Sequence, residues 1–484
     1  MNPLLLISIL CLAAPSLLAQ EGLRLPSIFS DHMVLQRGKP VRIWGKDKPG
    51  TKIVVAFDPQ EKTAKARLDG SWSLDLDPLK TGKARELVIR GSTVRHIRDV
   101  LVGEVWFCSG QSNMEFPVSR SKRAKVALRD ATVPGIRLFK VTRRTSQDSH
   151  FDVKGGPWKL SSPESVKSFS AVAWYFGRQL HDKLGVPIGL VQSSWGGTRI
   201  QSWMSPRTLQ DKAFARIREQ WKANDQRRAQ WQKKKGEEKA PRGRFLPERH
   251  RPGGLFLGMA EPILPYGYAG ALWYQGEANR KEADDYADYT RRLVLDWRRV
   301  SGQKLPFYWV QLAAFHYRDL GSRGLPVMWE AQDKAQDLER TGMASAADIG
   351  NPKNIHPTNK TEVGRRLSLL ALARVYGRQV EDRGPKLESW KKKGKEIELV
   401  FSHCEGSLVA KRAPEGFEVA GSNKKFSPAQ ARIEGQKIFL TCKEVKLPKA
   451  IRYAFHELGP FPVYNQQRLP LTPFRTDNWP VKNR

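Results

Sequence analysis

The spacing of hydrophobic positions changes rhythm twice along this chain. Between Leu23 and about Val100, segments such as KPVRIWG, TKIVVAFD, GSWSLDLD and ARELVIRG alternate apolar with polar residues and stop at glycine or proline. That period of two marks antiparallel strands with one buried face, and it predicts a β-sandwich over 21–100. Continuous apolar runs then take over. EVWFCSG, IGLVQSS, GALWYQG, PFYWVQLAA and GMASAADIG read as strands buried on both faces. Helical segments lie between them: SAVAWYFGRQLHDKLG sets Val172, Phe176, Leu180 and Leu184 on one face and stops at Gly185 and Pro187, and DYADYTRRLVLDWRRVSG follows later. Five such strands alternating with helices predict an α/β domain over 101–384, a parallel sheet covered on both sides. Asn359, three residues before Glu362, reads as the cap of the helix that closes this domain. Alternation returns in IELVFSHC, LVAKRA, GFEVAG and KIFLTC, predicting a small β-domain over 385–484.

Composition adds a destination and a field. At 484 residues with 40% apolar content the chain can bury more than one core. Residues 1–20 carry no charged side chain and hold an apolar run of signal-peptide length, which predicts export to the periplasm or the medium. No later run reaches the roughly 18 apolar residues that a membrane span needs. The net charge of +34 raises a nucleic-acid reading, but the charge is spread along the chain. Its densest run, about 211–252, has the composition of a solvated helical insertion, so nucleic acid is an unfavoured partner and an anionic glycan a better one. Cys11 leaves with the leader. Cys404 and Cys442 lie on strand-like segments and read either as a disulfide or as two buried thiols. No CxxC or HExxH spacing occurs, so no structural zinc is expected.

Four glycine-rich polar segments fall at the ends of proposed strands: GQSNM at 110–114, SSWGGTRIQSW at 193–203, YQGEAN at 274–279 and DIGNPKNIHP at 348–357. In parallel sheets, ligands bind beyond the carboxyl ends of the strands. A serine hydroxyl attacks carbonyl carbon only when a base takes its proton, and His356 is a strand-end histidine of the right kind for Ser112. The resulting oxyanion needs donors, and the backbone N–H groups of Ser112 and Gly197 with the side-chain amide of Asn279 are candidates. Gln111, Trp195 and Glu277 sit in the same segments as candidate substrate contacts. Each residue alone has a plainer reading: Ser112 as a turn residue, Gly197 as part of a tight turn, Asn279 as a cap, and Trp195, Trp203 and Trp273 as core. Their convergence favours a site.

These segments resemble the SGNH hydrolases and, more narrowly, the sialate O-acetylesterase family, whose nucleophile signature is similar to GQSNM. SIFSDHMVLQRGKPVRIWG, ALWYQGEAN, NIHPTNKTEVGRRL and LPLTPFRTDNWP extend the resemblance over nearly the whole mature chain. It implies an SGNH-hydrolase-like, doubly covered parallel sheet (flavodoxin-like) and an esterase that removes O-acetyl groups from carbohydrates through an acetyl-enzyme. Ser112 would be the nucleophile, His356 the base, and Gly197 and Asn279 oxyanion donors; no metal or organic cofactor is implied. The chain departs from the pattern beside the histidine, where Lys353 and Asn354 replace the acids that such enzymes carry. Asp348, Glu277 or a backbone carbonyl is left to orient His356, with Asp348 taken first. Leu257 also stands where the family often has asparagine. The missing acid keeps open a second reading, a glycan-binding protein on a decayed esterase scaffold, and an esterase acting on acetylated xylan or other esters is a third.

Overall fold

The computed structural model describes residues 22–235, 238, 241 and 243–481. The leader-like stretch 1–20 lies outside them. One 17-residue strand, Val94–Gly110 (β1), organises the molecule. Its first half pairs antiparallel with Arg85–Arg90 and stays partly exposed. Its second half is buried throughout, because it becomes the central strand of a parallel sheet. The N-terminal strands and the α/β region therefore share both a strand and a continuous hydrophobic core. On the N-terminal side a ribbon of Val41–Lys46 with Ser71–Leu76 accompanies the sheet formed by Gln60–Lys65, Lys52–Phe57, Arg85–Arg90 and β1.

The central sheet continues with Val133–Lys140 (β2), Lys159–Ser161 (β3), Ile188–Ser194 (β4), Gly270–Tyr274 (β5), Phe307–Gln311 (β6) and Thr341–Ser345 (β7), in the order β7-β6-β5-β1-β4-β2-β3. All neighbours run parallel except β3, which pairs antiparallel with β2. The sheet thus has one parallel strand more than the five expected. Pro134 and Gly135 interrupt the apolar run of β2, and its pairing with β3 shifts register there, so the segment lacks a strand's regular pattern.

Successive residues of β1 show why both faces are covered. Trp106 packs edge-on to Phe176 of helix Ala171–Leu184 (α2), whereas Phe107 packs edge-on to Trp297 of helix Ala283–Ser301 (α4). The short helix Ser112–Glu115 (α1) precedes α2 in sequence, and the insertion helix Ala215–Lys235 (α3) lies between α2 and α4. Gly185 ends α2 in the left-handed conformation, as its position predicts. Helices Gly324–Lys334 (α5) and Lys360–Arg374 (α6) complete the layers, and the Asn359 side chain caps α6 by accepting from the Glu362 N–H at 3.4 Å. The C-terminal strands form separate sheets around a second core that includes Leu399, Val419, Leu440 and Ile451. Cys404 and Cys442 are free thiols. Among the described residues no helix is long and apolar enough to cross a membrane.

Candidate active site

After β1 the chain builds β2 and β4 on one side of it and then crosses to β5 on the other. The carboxyl end of β1 is therefore the switch point at which such sheets open a crevice. Gly110 closes the strand with φ +136°, where a Cβ would lie 2.3 Å from the Tyr274 carbonyl oxygen. Next to it, the Gln111 N–H donates to that same oxygen at 2.9 Å. Gly110→Ala is expected to cost about 1–3 kcal/mol, read as a lowered denaturant midpoint, because both the close approach and the backbone angle exclude a side chain.

Ser112 follows as the first residue of α1, where helix geometry leaves N–H groups without intrahelical acceptors. The turn after β4 comes up against it. A Cβ on Gly196 would sit 3.2 Å from that of Ser112, and the Gly196 N–H is held by Glu115 Oε2 at 2.9 Å. Gly197, at φ +72°, has no acceptor for its N–H among the described residues. Ser112, Gly197, Gln111, Glu277 and His356 line one cavity of about 530 Å³. Among the described residues no hydrogen bond joins the Ser112 hydroxyl to the His356 ring. Asn113 ties their backbones together: its Nδ2 donates to the carbonyl of Ile355, the residue before His356, at 3.1 Å. The imidazole stacks on Phe116 with ring centroids 6.3 Å apart.

Two expectations change. Asn279 is buried, and its amide nitrogen donates to Gln201 and Glu282, both at 2.9 Å, while its oxygen accepts from the Ile200 N–H and from Gln275. All its donors are used in joining three segments, and it does not line the cavity. Asp348 is likewise engaged elsewhere: both oxygens bind the guanidinium of Arg366 on α6, at 2.5 and 2.8 Å, and Tyr464 donates to one of them at 3.1 Å. A buried arginine requires a carboxylate, and Asp348 answers that need rather than the ring of His356. Trp203 and Trp273 are core residues packed edge to face. Trp195 is half-buried beside Arg143 and outside the cavity lining.

The remaining wall was not legible in the sequence. Ile217, Gln220 and Trp221 of the basic insertion helix and Leu246, Pro247 and His250 beyond it line the same cavity as Ser112. Asn224 holds this wall by accepting from the Leu246 N–H at 2.8 Å, and Arg251 spans Asp225 and Glu248 above the Trp221 ring. A second unanticipated group lies against Asn113, the residue after Ser112. Lys360, wholly buried, donates to Asn113 Oδ1 at 2.5 Å.

Comparison with known proteins places the sequence in a family. The model of the family described as carbohydrate esterase, sialic acid-specific acetylesterase, matches residues 102–236 and 259–372. The sialate O-acetylesterase of Mus musculus is 31% identical over 421 residues, 78% of this chain and 78% of that one. The chain belongs to the sialic acid-specific acetylesterase family of carbohydrate esterases. Its relative from Pongo abelii is 29% identical over 510 residues, 94% of this chain and 92% of that protein. A carbohydrate acetylesterase from Xanthomonas citri has a similar structure, with a TM-score of 0.83 at 33% identity over 94% of this chain and all of that one. As a member of this family, the protein is an esterase. The segment 237–258, which supplies Leu246, Pro247 and His250, falls between the two matched stretches.

Electrostatics in this esterase pocket favour uncharged imidazoles. Burial, then the positive charges of Lys360 and Arg120, holds His356 below the ordinary histidine value. His250 is pushed down to about 4 by burial and by Arg249 and Arg199. Glu277 moves the other way, its carboxyl raised by burial. One of its oxygens accepts from Asn113 Nδ2 at 2.6 Å, and the other has no protein partner among the described residues.

Proposed function

We propose that the protein removes O-acetyl groups from carbohydrates by a two-step acyl transfer through Ser112. His356 takes the proton of the Ser112 hydroxyl as Oγ attacks the acetyl carbonyl, and returns it to the departing sugar oxygen. Water then repeats the sequence on the acetyl-enzyme, releasing acetate. The N–H groups of Ser112 and Gly197 hold the oxyanion, with the side-chain Nε2 of Gln111, which has no partner among the described residues, as the third donor in place of Asn279. Glu277 is the acid that orients His356, since it shares the cavity with the ring and keeps one carboxylate oxygen unpartnered. The uncharged stretch at 1–20 supports export of the enzyme.

The single observation carrying this reading is the convergence of Ser112, Gly197, Glu277 and His356 on one cavity at the switch point. Its test is acetate release from a panel of acetylated sialosides, xylans and pectins, joined to treatment with a serine-reactive organophosphonate. Phosphonylation on Ser112, found by peptide mass spectrometry, is the expected result; a labelled serine elsewhere would move the nucleophile. The pH dependence follows from the charges around the base. Only neutral His356 accepts a proton, so kcat/KM for an aryl acetate should rise with pH through an apparent pKa below 6.5, the ordinary histidine value. Stopped assays across acid pH read it directly.

A further inference from the structure

Lys360 is 0% exposed, and an ammonium removed from water needs compensating partners. It sits 5.1 Å from the ring centroids of both Phe116 and Tyr274 and donates to Asn113 Oδ1. The orientation of Asn113 is fixed by chemistry: lysine only donates, whereas the Glu277 carboxylate and the Ile355 carbonyl only accept. Lys360 and Glu277 make no direct ion pair among the described residues. Asn113, the residue after the nucleophile, relays between them and reaches the backbone before the base. Hydrogen bonds in such a chain strengthen one another in a low-dielectric interior.

We propose that Lys360 is a positioning residue of the esterase: through Asn113 its ammonium keeps Glu277 an anion, so that Glu277 holds the His356 ring in register with Ser112. This rests on the roles given above to His356 and Glu277. The groups that bear on the pair come from several elements. Tyr274 at the end of β5 and Phe116 after α1 face Lys360, Arg280 and Tyr317 act on Glu277, and Arg120 acts with Lys360 on His356. Glu362, on the same helix as Lys360, is occupied by Arg365 and Arg366. Burial acts on both members of the pair toward neutrality, lowering the lysine and raising the carboxyl, and each charge opposes that for the other. Without the ammonium, Glu277 keeps its proton to higher pH.

The experiment compares kcat/KM pH profiles for an aryl acetate in wild type, Lys360→Met, Lys360→Gln and Lys360→Arg, with thermal unfolding recorded for each. The neutral variants should lose about tenfold on the acid side of the profile, their acid limbs moving upward by about one unit, since one pKa unit is a tenfold change in ionisation. Lys360→Arg should recover part of the loss and leave the acid limb at its wild-type pH. Neutral variants whose limbs stay in place, with activity unchanged or scaled by a constant factor, would overturn the proposal. Should neither neutral variant fold, 13C-carboxylate NMR of wild type, with Glu277 assigned by difference from Glu277→Gln, decides: a protonated Glu277 at the pH of full activity overturns it and an ionised one supports it. Failure of the esterase reading has a different signature, namely no turnover by wild type or undiminished turnover by Ser112→Ala.

Discussion

Ser112→Ala is expected to lower kcat/KM for acetyl esters by a factor of about 10⁴ to 10⁶ while leaving the unfolding transition where it is. The size follows from the role: without the hydroxyl no acyl-enzyme forms, and the donors and binding contacts supply only the residual rate. The unchanged stability follows from the surroundings. The Ser112 hydroxyl has no hydrogen-bond partner among the described residues, so its removal strands no buried donor or acceptor. The methyl that remains leaves in place the Ser112 Cβ, which a side chain at position 196 would approach to 3.2 Å. A change within about 0.5 kcal/mol is the expectation for such a site. Acetate release and differential scanning calorimetry on the same preparation check both halves. Turnover at the wild-type rate would remove Ser112 from the mechanism.

Asp348→Asn should give the opposite pattern, a large loss of stability with the shape of the pH profile retained. Arg366 and Asp348 have side chains only 3% and 2% exposed, and their two-point contact joins helix α6 to the turn after β7. Neutralising the acid leaves a buried guanidinium with Glu362 alone as its counter-charge. Breaking one side of a buried pair costs about 3–5 kcal/mol, because the remaining charge has lost its compensation without regaining water. Denaturant unfolding measures this loss. The turn that Asp348 anchors leads to the His356 loop, so the amount of active enzyme falls at raised temperature. The acid limb of the surviving activity should stay at the wild-type pH, since Asp348 does not touch the imidazole. A limb displaced upward in Asp348→Asn would instead return Asp348 to the role of orienting acid.

These variants separate what strand-end position reveals from what it leaves undecided. Ser112, Gly197, Glu277 and His356 were legible because local sequence places each one past a strand, and a parallel sheet gathers its carboxyl ends on one edge. Asn279 satisfied the same criterion and yet faces Gln201 and Glu282, since position along a strand end does not state which way an amide points. Lys360 was passed over for the converse reason. A lysine two residues after Thr358 in a polar loop reads as solvated, and only the approach of Asn113, Phe116 and Tyr274 from two other segments buries it. The insertion read as a solvated basic helix, and much of it is one. Its Trp221 face became the cavity wall because Leu246 to His250 fold back against it.

By itself the sequence determined the periodicities that make N-terminal alternating strands, a mostly parallel sheet between helices and further C-terminal strands, along with the chemical types gathered at the strand ends. Those are local properties, set by side-chain spacing and by where glycine and proline stop a run. Tertiary structure alone decided that Glu277 shares a cavity with His356 while Asp348 is consumed by Arg366, and that Lys360 is stripped of water against Asn113. Such outcomes depend on charges brought together across hundreds of residues, where burial, rather than neighbouring sequence, sets what each group must bind.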